Sequence, residues 1–192
     1  MSSDEKSIRL IEAASALLAA SRNKRLNAVP LNKALFYLDL ASLRDCGEAF
    51  TRNSYIALDN GPVVAKYQDR LIKPLKKSGI ATQEADGDAR PIKLLELPGF
   101  TKLTPKIQEL AVKVSRWCSG RTSRELSDYS HQNLGWIIAR RKALEAKGQK
   151  QVIDMHIAMQ QIIDSDPWVN EPNDDDVRKA CESADMRKGQ VW

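Results

Sequence analysis

The feature that most constrains the fold is the segment LNKALFYLDLASLRDC at residues 31–46, where apolar side chains recur on a helical period. Pro30 suits the first turn of a helix, because its missing N–H would have no partner there. Gly47 follows directly and permits a left-handed stop. The segment therefore predicts a broadly apolar helix that ends near Cys46, and any fold of this chain has to accommodate it.

The segment after this helix predicts a short extended element. Residues 48–59 are interpreted as two short strands around Arg52 and Asn53. The Gly61-Pro62 pair is interpreted as a turn that opens a helix running from Val63 to about Lys77. We expect Gly61 at a backbone position that tolerates no side chain, and Pro62 to pre-set the helix that follows.

A second hairpin is predicted further along the chain. Residues 79–85 and 91–97 flank Asp86-Gly87-Asp88, which is a strong turn signal. With the strands before Gly61, this gives a small antiparallel β element of up to four short strands.

The rest of the chain is predicted to be helical. Thr104 and Pro105 fit a helix cap and first turn, and Thr122 with Glu125 fits a capping box that starts a short helix ending near His131. The remaining helices are predicted at residues 4–20, 133–146 and 151–164. The fold class is therefore α+β and predominantly helical, with six or seven helices. The residues expected in the core are Leu35, Leu38, Leu71, Leu110, Val114, Leu126 and Ile137.

The charge of the chain is divided unevenly along its 192 residues. The net charge is +5. Residues 1–153 carry a net +10, and residues 154–192 carry a net −5. We expect a domain over residues 1–150, a C-terminal helix at 151–165 packing on it, and an acidic extension at 166–192. The extension is interpreted as docking on the basic body or reaching a partner, with a frayed terminus as the alternative.

Composition limits the cellular setting. No apolar run approaches the ~20 residues that span a bilayer, and the N-terminus MSSDEKSIRL lacks the pattern of a signal peptide. The three cysteines have no CxxC spacing, which indicates reduced thiols rather than a zinc site or a disulfide framework. These features predict a cytoplasmic protein without a membrane partner.

The motifs of catalysis and cofactor binding are missing from the sequence. It contains no GxSxG nucleophile turn, no GxGxxG or Walker glycine pattern, and no carboxylate spacing typical of a calcium loop. The sequence therefore predicts no enzyme activity, no cofactor and no metal. A basic helix end at Arg140–Lys142 leaves open a DNA-binding regulator, although the same cations also suit the helix dipole.

Three motifs in order carry a family resemblance. They are Leu31-Asn32-Lys33-Ala34-Leu35-Phe36-Tyr37-Leu38-Asp39, then Gly61-Pro62-Val63 followed by Tyr67, then Leu126, Ser130, His131 and Trp136. In this order the chain, over about residues 5–146, resembles the SocA-like Panacea domain of bacterial and phage antitoxins. It departs from the family in having Ala34 where Leu is favoured, and Asn133-Leu134-Gly135 before Trp136 where Pro is common.

The resemblance implies a non-enzymatic antitoxin whose partner is a cognate protein toxin. Neutralisation by direct binding and delivery of the toxin to a bacterial protease both remain open, and a DNA-binding regulator of its own operon is the alternative. The motif positions that could contact the partner are Tyr37, Asp39, Asp59, Gly61, Pro62, His131 and Trp136. Asp39, Asp59 and His131 are also predicted to bond one another.

Overall fold

The centre of the fold is the apolar helix. The computed structural model describes residues 3–86 and 90–169. Helix α2, Ala28–Cys46, is buried at every position from Pro30 to Leu43. It ends as predicted, because Gly47 adopts a left-handed conformation with φ +79° and its N–H bonds to the Leu43 carbonyl. A helix that is apolar all round must be covered on all sides, which places α2 inside the molecule.

Two long helices cover α2 first. Helix α1, Ser3–Ala20, and helix α4, Pro105–Ser119, contact α2 and each other. The carboxylate of Glu12 on α1 is buried and accepts hydrogen bonds from the backbone N–H groups of Thr101, Lys102 and Leu103 at 2.7–2.9 Å. This buried acid fixes the loop that leads into α4, where the predicted Thr104 cap is present.

Five short strands form two separate antiparallel sheets in the described part of the chain. The first sheet has the order β1 (Arg25–Leu26), β5 (Ile92–Leu94) and β4 (Ala81–Gln83). Its β4–β5 pair is the predicted second hairpin, although residues 87–89 of its turn lie outside the described residues. The second sheet pairs β2 (Tyr55–Leu58) with β3 (Gly61–Val64). One more strand is present than the four expected.

The first predicted hairpin was placed wrongly. The turn lies at Asp59-Asn60, not at Arg52-Asn53, because Leu58 pairs with Gly61 in the register of β2 and β3. Gly61 and Pro62 are therefore strand residues, and Pro62 does not pre-set a helix.

Helical structure resumes only at Gln68–Ile72, as a π-helical turn that leads into α3, Lys73–Lys77. The helix predicted from Val63 thus begins five residues late, because the chain first completes its pairing with β2.

Helices from the C-terminal part of the described chain also pack on α2. Helix α5, Ser123–His131, starts with the predicted capping box, and α6 spans Leu134–Glu145. The helix predicted at 151–164 is shorter: α7 is Met155–Met159, followed by a 3₁₀ turn at Gln160–Ile162. Before it, Gln151 and Ile153 bond to the edge of β2, which holds these residues extended.

The start of the predicted acidic extension contacts the folded body. Trp168 is buried with its ring 6.1 Å from that of Trp117, and Asp166 forms an ion pair with Arg44. Residues 170–192 lie outside the described residues, so the prediction for the rest of the extension stays a prediction. Within the described ranges, no helix is both long and apolar enough to cross a membrane.

Candidate functional site

Most of the motif residues gather around the β2–β3 hairpin. Strand β3 contacts α2 and α5, and strand β2 contacts α6. This packing brings together Asp59 in the turn, Gly61 and Pro62 on β3, and the His131 and Trp136 side chains from the α5–α6 region. The two remaining candidates, Tyr37 and Asp39, lie on the buried helix α2.

Asp39 is a core residue. Its side chain is 0% exposed, and its carboxylate accepts hydrogen bonds from the Thr51 N–H at 2.8 Å, the Tyr55 hydroxyl at 2.8 Å and the Thr51 hydroxyl. Burial raises the pKa of Asp39 to about 6, while these hydrogen bonds act in the opposite direction. The carboxylate thus attaches the loop before β2 and the first residue of β2 to α2, and it is not accessible to a partner in this fold.

Tyr37 is also inside the core. Its hydroxyl donates to Gln161 Oε1 at 3.1 Å, and its ring lies edge-on to Trp117 at 5.1 Å. The same Gln161 oxygen accepts from Asn133 Nδ2 at 2.8 Å, and Gln161 Nε2 donates to the Tyr129 carbonyl at 3.0 Å. Burial raises the pKa of Tyr37. Tyr37 therefore belongs to a polar network that joins α2 to the chain on either side of α6.

The hairpin is attached to α6 by two contacts. The Trp136 indole N–H donates to the Leu58 carbonyl at 3.1 Å, and Arg140 forms an ion pair with Asp59. The His131 ring stacks on Trp136, with ring centres 4.2 Å apart. These contacts hold the Asp59-Asn60 turn against α6.

The prediction that Asp39, Asp59 and His131 bond one another is wrong. Asp39 is bonded within the core, and Asp59 is 80% exposed in its side chain and pairs with Arg140. The Nε2 atom of His131 is buried without a hydrogen-bond partner among the described residues. The three residues share a motif but lie in different environments.

A residue that was not singled out, Lys33, occupies the centre of this region. It is 1% exposed, and its ammonium donates to the Asn60 carbonyl in the hairpin turn. Gly61 has φ +96°, and a Cβ there would lie 2.0 Å from Lys33 Nζ and 2.4 Å from Ser130 Oγ. The expectation that Gly61 tolerates no side chain is confirmed, because the backbone there is left-handed and a Cβ would clash with both Lys33 and Ser130. A lysine inside the apolar run of α2 was the available signal.

Helix α6 buries its small residues and exposes its large ones. Gly135, Ala139 and Ala143 face inward. Gly135 allows the close approach of α7, because a Cβ at that position would lie 2.8 Å from Ala158 Cβ and 2.9 Å from the Asp154 carbonyl oxygen. This close packing leaves no room for a side chain at Gly135.

The outer side of α6 carries large apolar residues instead. Leu134 is 52% exposed, Ile137 43% and Leu144 64%. Their spacing of three and seven places them on one stripe together with Arg141, which we call the α6 outer face. The prediction that Ile137 is buried is wrong, because the core side of the helix is filled by small residues packed against α7. The other six predicted core residues are buried.

The surroundings of the α6 outer face are strongly basic. Residues 134–150 contain Arg140, Arg141, Lys142, Lys147 and Lys150 against one acid, Glu145. The Arg141 side chain is 82% exposed, with Glu145 as its partner one turn on. An apolar stripe with basic residues around it is suited to a protein surface that presents apolar side chains among carboxylates.

The described residues offer no metal site, and a comparison with protein families identifies one match. Within the described residues, no cluster of three or more His, Cys, Asp or Glu side chains could hold a metal ion. No curated protein and no solved structure matches the chain. Residues 31–137 match the family described as antitoxin SocA-like, Panacea domain.

Proposed function

The chain belongs to the SocA-like Panacea antitoxin family, and from this premise we propose that it neutralises a protein toxin by binding it on the α6 outer face. The family supports an antitoxin role, and the observation that supports this location is the inverted packing of α6. A helix that buries glycine and alanine while exposing leucine and isoleucine leaves an apolar stripe without a partner in the described fold. Exposed apolar stripes rimmed by charge are typical of interaction surfaces.

The energetics suit a protein partner. Burying a fully exposed Leu or Ile contributes about 1.5–3 kcal/mol, so the three half-exposed side chains of the stripe contribute about 1 kcal/mol each when covered. The remaining affinity has to come from the partner's own anchors and from charge. The basic residues around the stripe would speed the encounter with an acidic toxin surface.

Direct binding is the simplest mode of neutralisation, and delivery to a protease is the alternative. Both start with the same contact, so the α6 outer face serves either. The two modes differ in what happens to the toxin. In direct blocking the toxin persists in the complex, whereas an adaptor shortens its lifetime. Measuring the half-life of the toxin in the cytoplasm, with and without the antitoxin, separates the two modes.

A DNA-binding regulator remains the second candidate, because Arg141 is exposed at the basic end of α6. The arrangement of that surface favours a protein, however. Arg140 is already paired with Asp59, and the stripe presents Leu134, Ile137 and Leu144 rather than further cations. Binding to its own promoter without any rescue from a toxin would transfer the assignment to the regulator.

The test of the antitoxin role is co-expression. A small gene adjacent to the one encoding this chain is expressed alone and together with it. The proposal expects growth arrest by the neighbour alone and growth when both are present, and the two proteins should co-purify. If neighbouring genes are toxic but this chain relieves the growth arrest of none of them, the proposal is contradicted.

A further inference from the structure

A cavity of about 420 Å³ lies between the β2–β3 hairpin and α2. Its lining combines the apolar residues Pro62 and Val63 with the polar groups of Lys33, Tyr67 and Arg140, and the one carboxylate in the lining, Asp59, is paired with Arg140. Lys33, Tyr67 and Arg140 carry the hydrogen-bond donors considered below.

Lys33 is a buried cation without an anionic partner. An ammonium has three donors, and among the described residues only the bond to the Asn60 carbonyl is made. No carboxylate of the described chain forms an ion pair with it. Burial lowers the pKa of Lys33 to about 7, while the Cys118 thiol acts in the opposite direction. Burying an unpaired charge is unfavourable, so its presence here calls for a reason beyond stability.

Tyr67 is the second donor on the same cavity. Its hydroxyl is buried and has no hydrogen-bond partner among the described residues. The Tyr67 side chain lines the cavity, so a ligand that enters as far as this hydroxyl would provide its missing acceptor. Asn32, another lining residue, is already committed, because its side chain bonds to the Val64 N–H and the Ala28 carbonyl. Arg140 is paired with Asp59, so Lys33 and Tyr67 are the lining groups whose polar atoms are buried and still have unused donors.

The cavity reaches helix α6 through one lining residue, Arg140. Arg140 lines the cavity, and it lies three residues after Ile137 and four before Leu144, which makes it their neighbour on the helix surface. A protein seated on the α6 outer face could therefore place a side chain into the cavity past Arg140.

We propose that this cavity is a carboxylate-binding site, in which the Lys33 ammonium and the Tyr67 hydroxyl bind an acidic side chain of the toxin seated on the α6 outer face. The ligand is a carboxylate because one ammonium balances one negative charge. A phosphate dianion would leave excess charge beside Pro62 and Val63, whereas the methylene groups of an aspartate or glutamate suit that lining. The identification of the toxin as the source of the carboxylate rests on the proposed function, whereas the binding of a carboxylate in the cavity does not.

The chemistry is tested first on the protein alone. Propionate is titrated against chloride at constant ionic strength while the NMR signals of Lys33 are followed. The proposal expects a saturable shift with propionate only, and a higher pKa of Lys33 in its presence. Tyr67→Phe removes a hydroxyl without a partner, so it should fold normally and weaken propionate binding by about tenfold, the loss of one hydrogen bond to a charged group. No saturable shift, or equal binding by Tyr67→Phe, would overturn the site.

The source is tested with the toxin. Tyr67→Phe and Lys33→Met are compared with the unaltered protein for toxin affinity, and a loss of about tenfold or more in each is expected. If the unaltered protein binds propionate but Tyr67→Phe binds the toxin as tightly as the unaltered protein does, the toxin is not the source of the carboxylate. The cavity would then be a site for a free carboxylate. The proposal that the toxin binds the α6 outer face is tested separately. If it is wrong, Ile137→Asp will have unchanged toxin affinity, whatever the propionate result.

Discussion

Gly61→Ala tests whether the buried lysine under the hairpin determines the residue at this position. The alanine would have to adopt φ +96°, which strains an L-residue by about 1–2 kcal/mol. Its Cβ would also meet Lys33 Nζ at 2.0 Å, so the ammonium has to leave the Asn60 carbonyl. Losing a hydrogen bond to a charged group costs about 1.5–3 kcal/mol. The free energy of unfolding should therefore fall by about 2.5–5 kcal/mol.

Gly47→Ala is the matched control. Gly47 also has a positive φ, +79°, but a Cβ there would meet nothing within 4 Å. Only the backbone strain applies, so the loss should be about 1–2 kcal/mol. Urea unfolding followed by tryptophan fluorescence measures both variants. Equal losses for the two glycines would refute the role of Lys33.

A double variant adds a second check on the same reasoning. In a Lys33→Ala background the ammonium is gone, and Gly61→Ala should lose about 2 kcal/mol less than it does in the unaltered protein. If the loss is the same in both backgrounds, Ser130 or the backbone itself is the obstacle, and the account of Lys33 is wrong.

Three further predictions concern stability. Asp39→Ala leaves the Thr51 N–H and two hydroxyls without their acceptor and should lower the free energy of unfolding by about 3 kcal/mol or more. Asp39→Asn keeps one acceptor and should lose less, so equal losses in urea unfolding would count against the network. Because the pKa of Lys33 is lowered to about 7, the folded state binds fewer protons than the unfolded state above that pH. The free energy of unfolding should therefore rise as pH increases from 7 towards 10, and Lys33→Met should flatten that rise. Trp168→Ala removes a buried ring packed on Trp117 and should lower the free energy of unfolding by about 3–5 kcal/mol; a change below 1 kcal/mol would mean that this segment is not docked in solution.

Local chemistry explains which parts of the fold could be predicted. The caps at Thr104 and Thr122 and the stop at Gly47 depend on residues within one turn of each other, and all three are present. The second hairpin was predictable for the same reason, since its strands flank a turn signal. The helical fold class and the family follow from such local patterns taken together.

The errors arose where a distant contact decides the local structure. Gly61-Pro62 has the composition of a turn, but both residues pair with β2, and Gly61 packs against Lys33, 28 residues earlier in the chain. Glu12 bonds a loop about 90 residues away, and no periodic pattern indicates that. Ile137 matches a core pattern, yet α7 packs so closely on Gly135 that the helix turns its larger residues outward. In the candidate site, the motifs identified the hairpin region and included Lys33, whereas the contacts of Lys33 and the α6 outer face required the structure.

The most direct test of the central claim is toxin rescue by Ile137→Asp. Ile8→Asp is the control, because Ile8 is 41% exposed on α1 and Ile137 is 43% exposed on α6, and both lie near the start of a helix. Both variants should keep the melting temperature of the unaltered protein to within a few degrees, since a surface substitution changes stability by about 0.5 kcal/mol. The account predicts that Ile137→Asp no longer relieves the growth arrest caused by the toxin, while Ile8→Asp relieves it fully. Full rescue by a folded Ile137→Asp would contradict the claim that the toxin binds the α6 outer face.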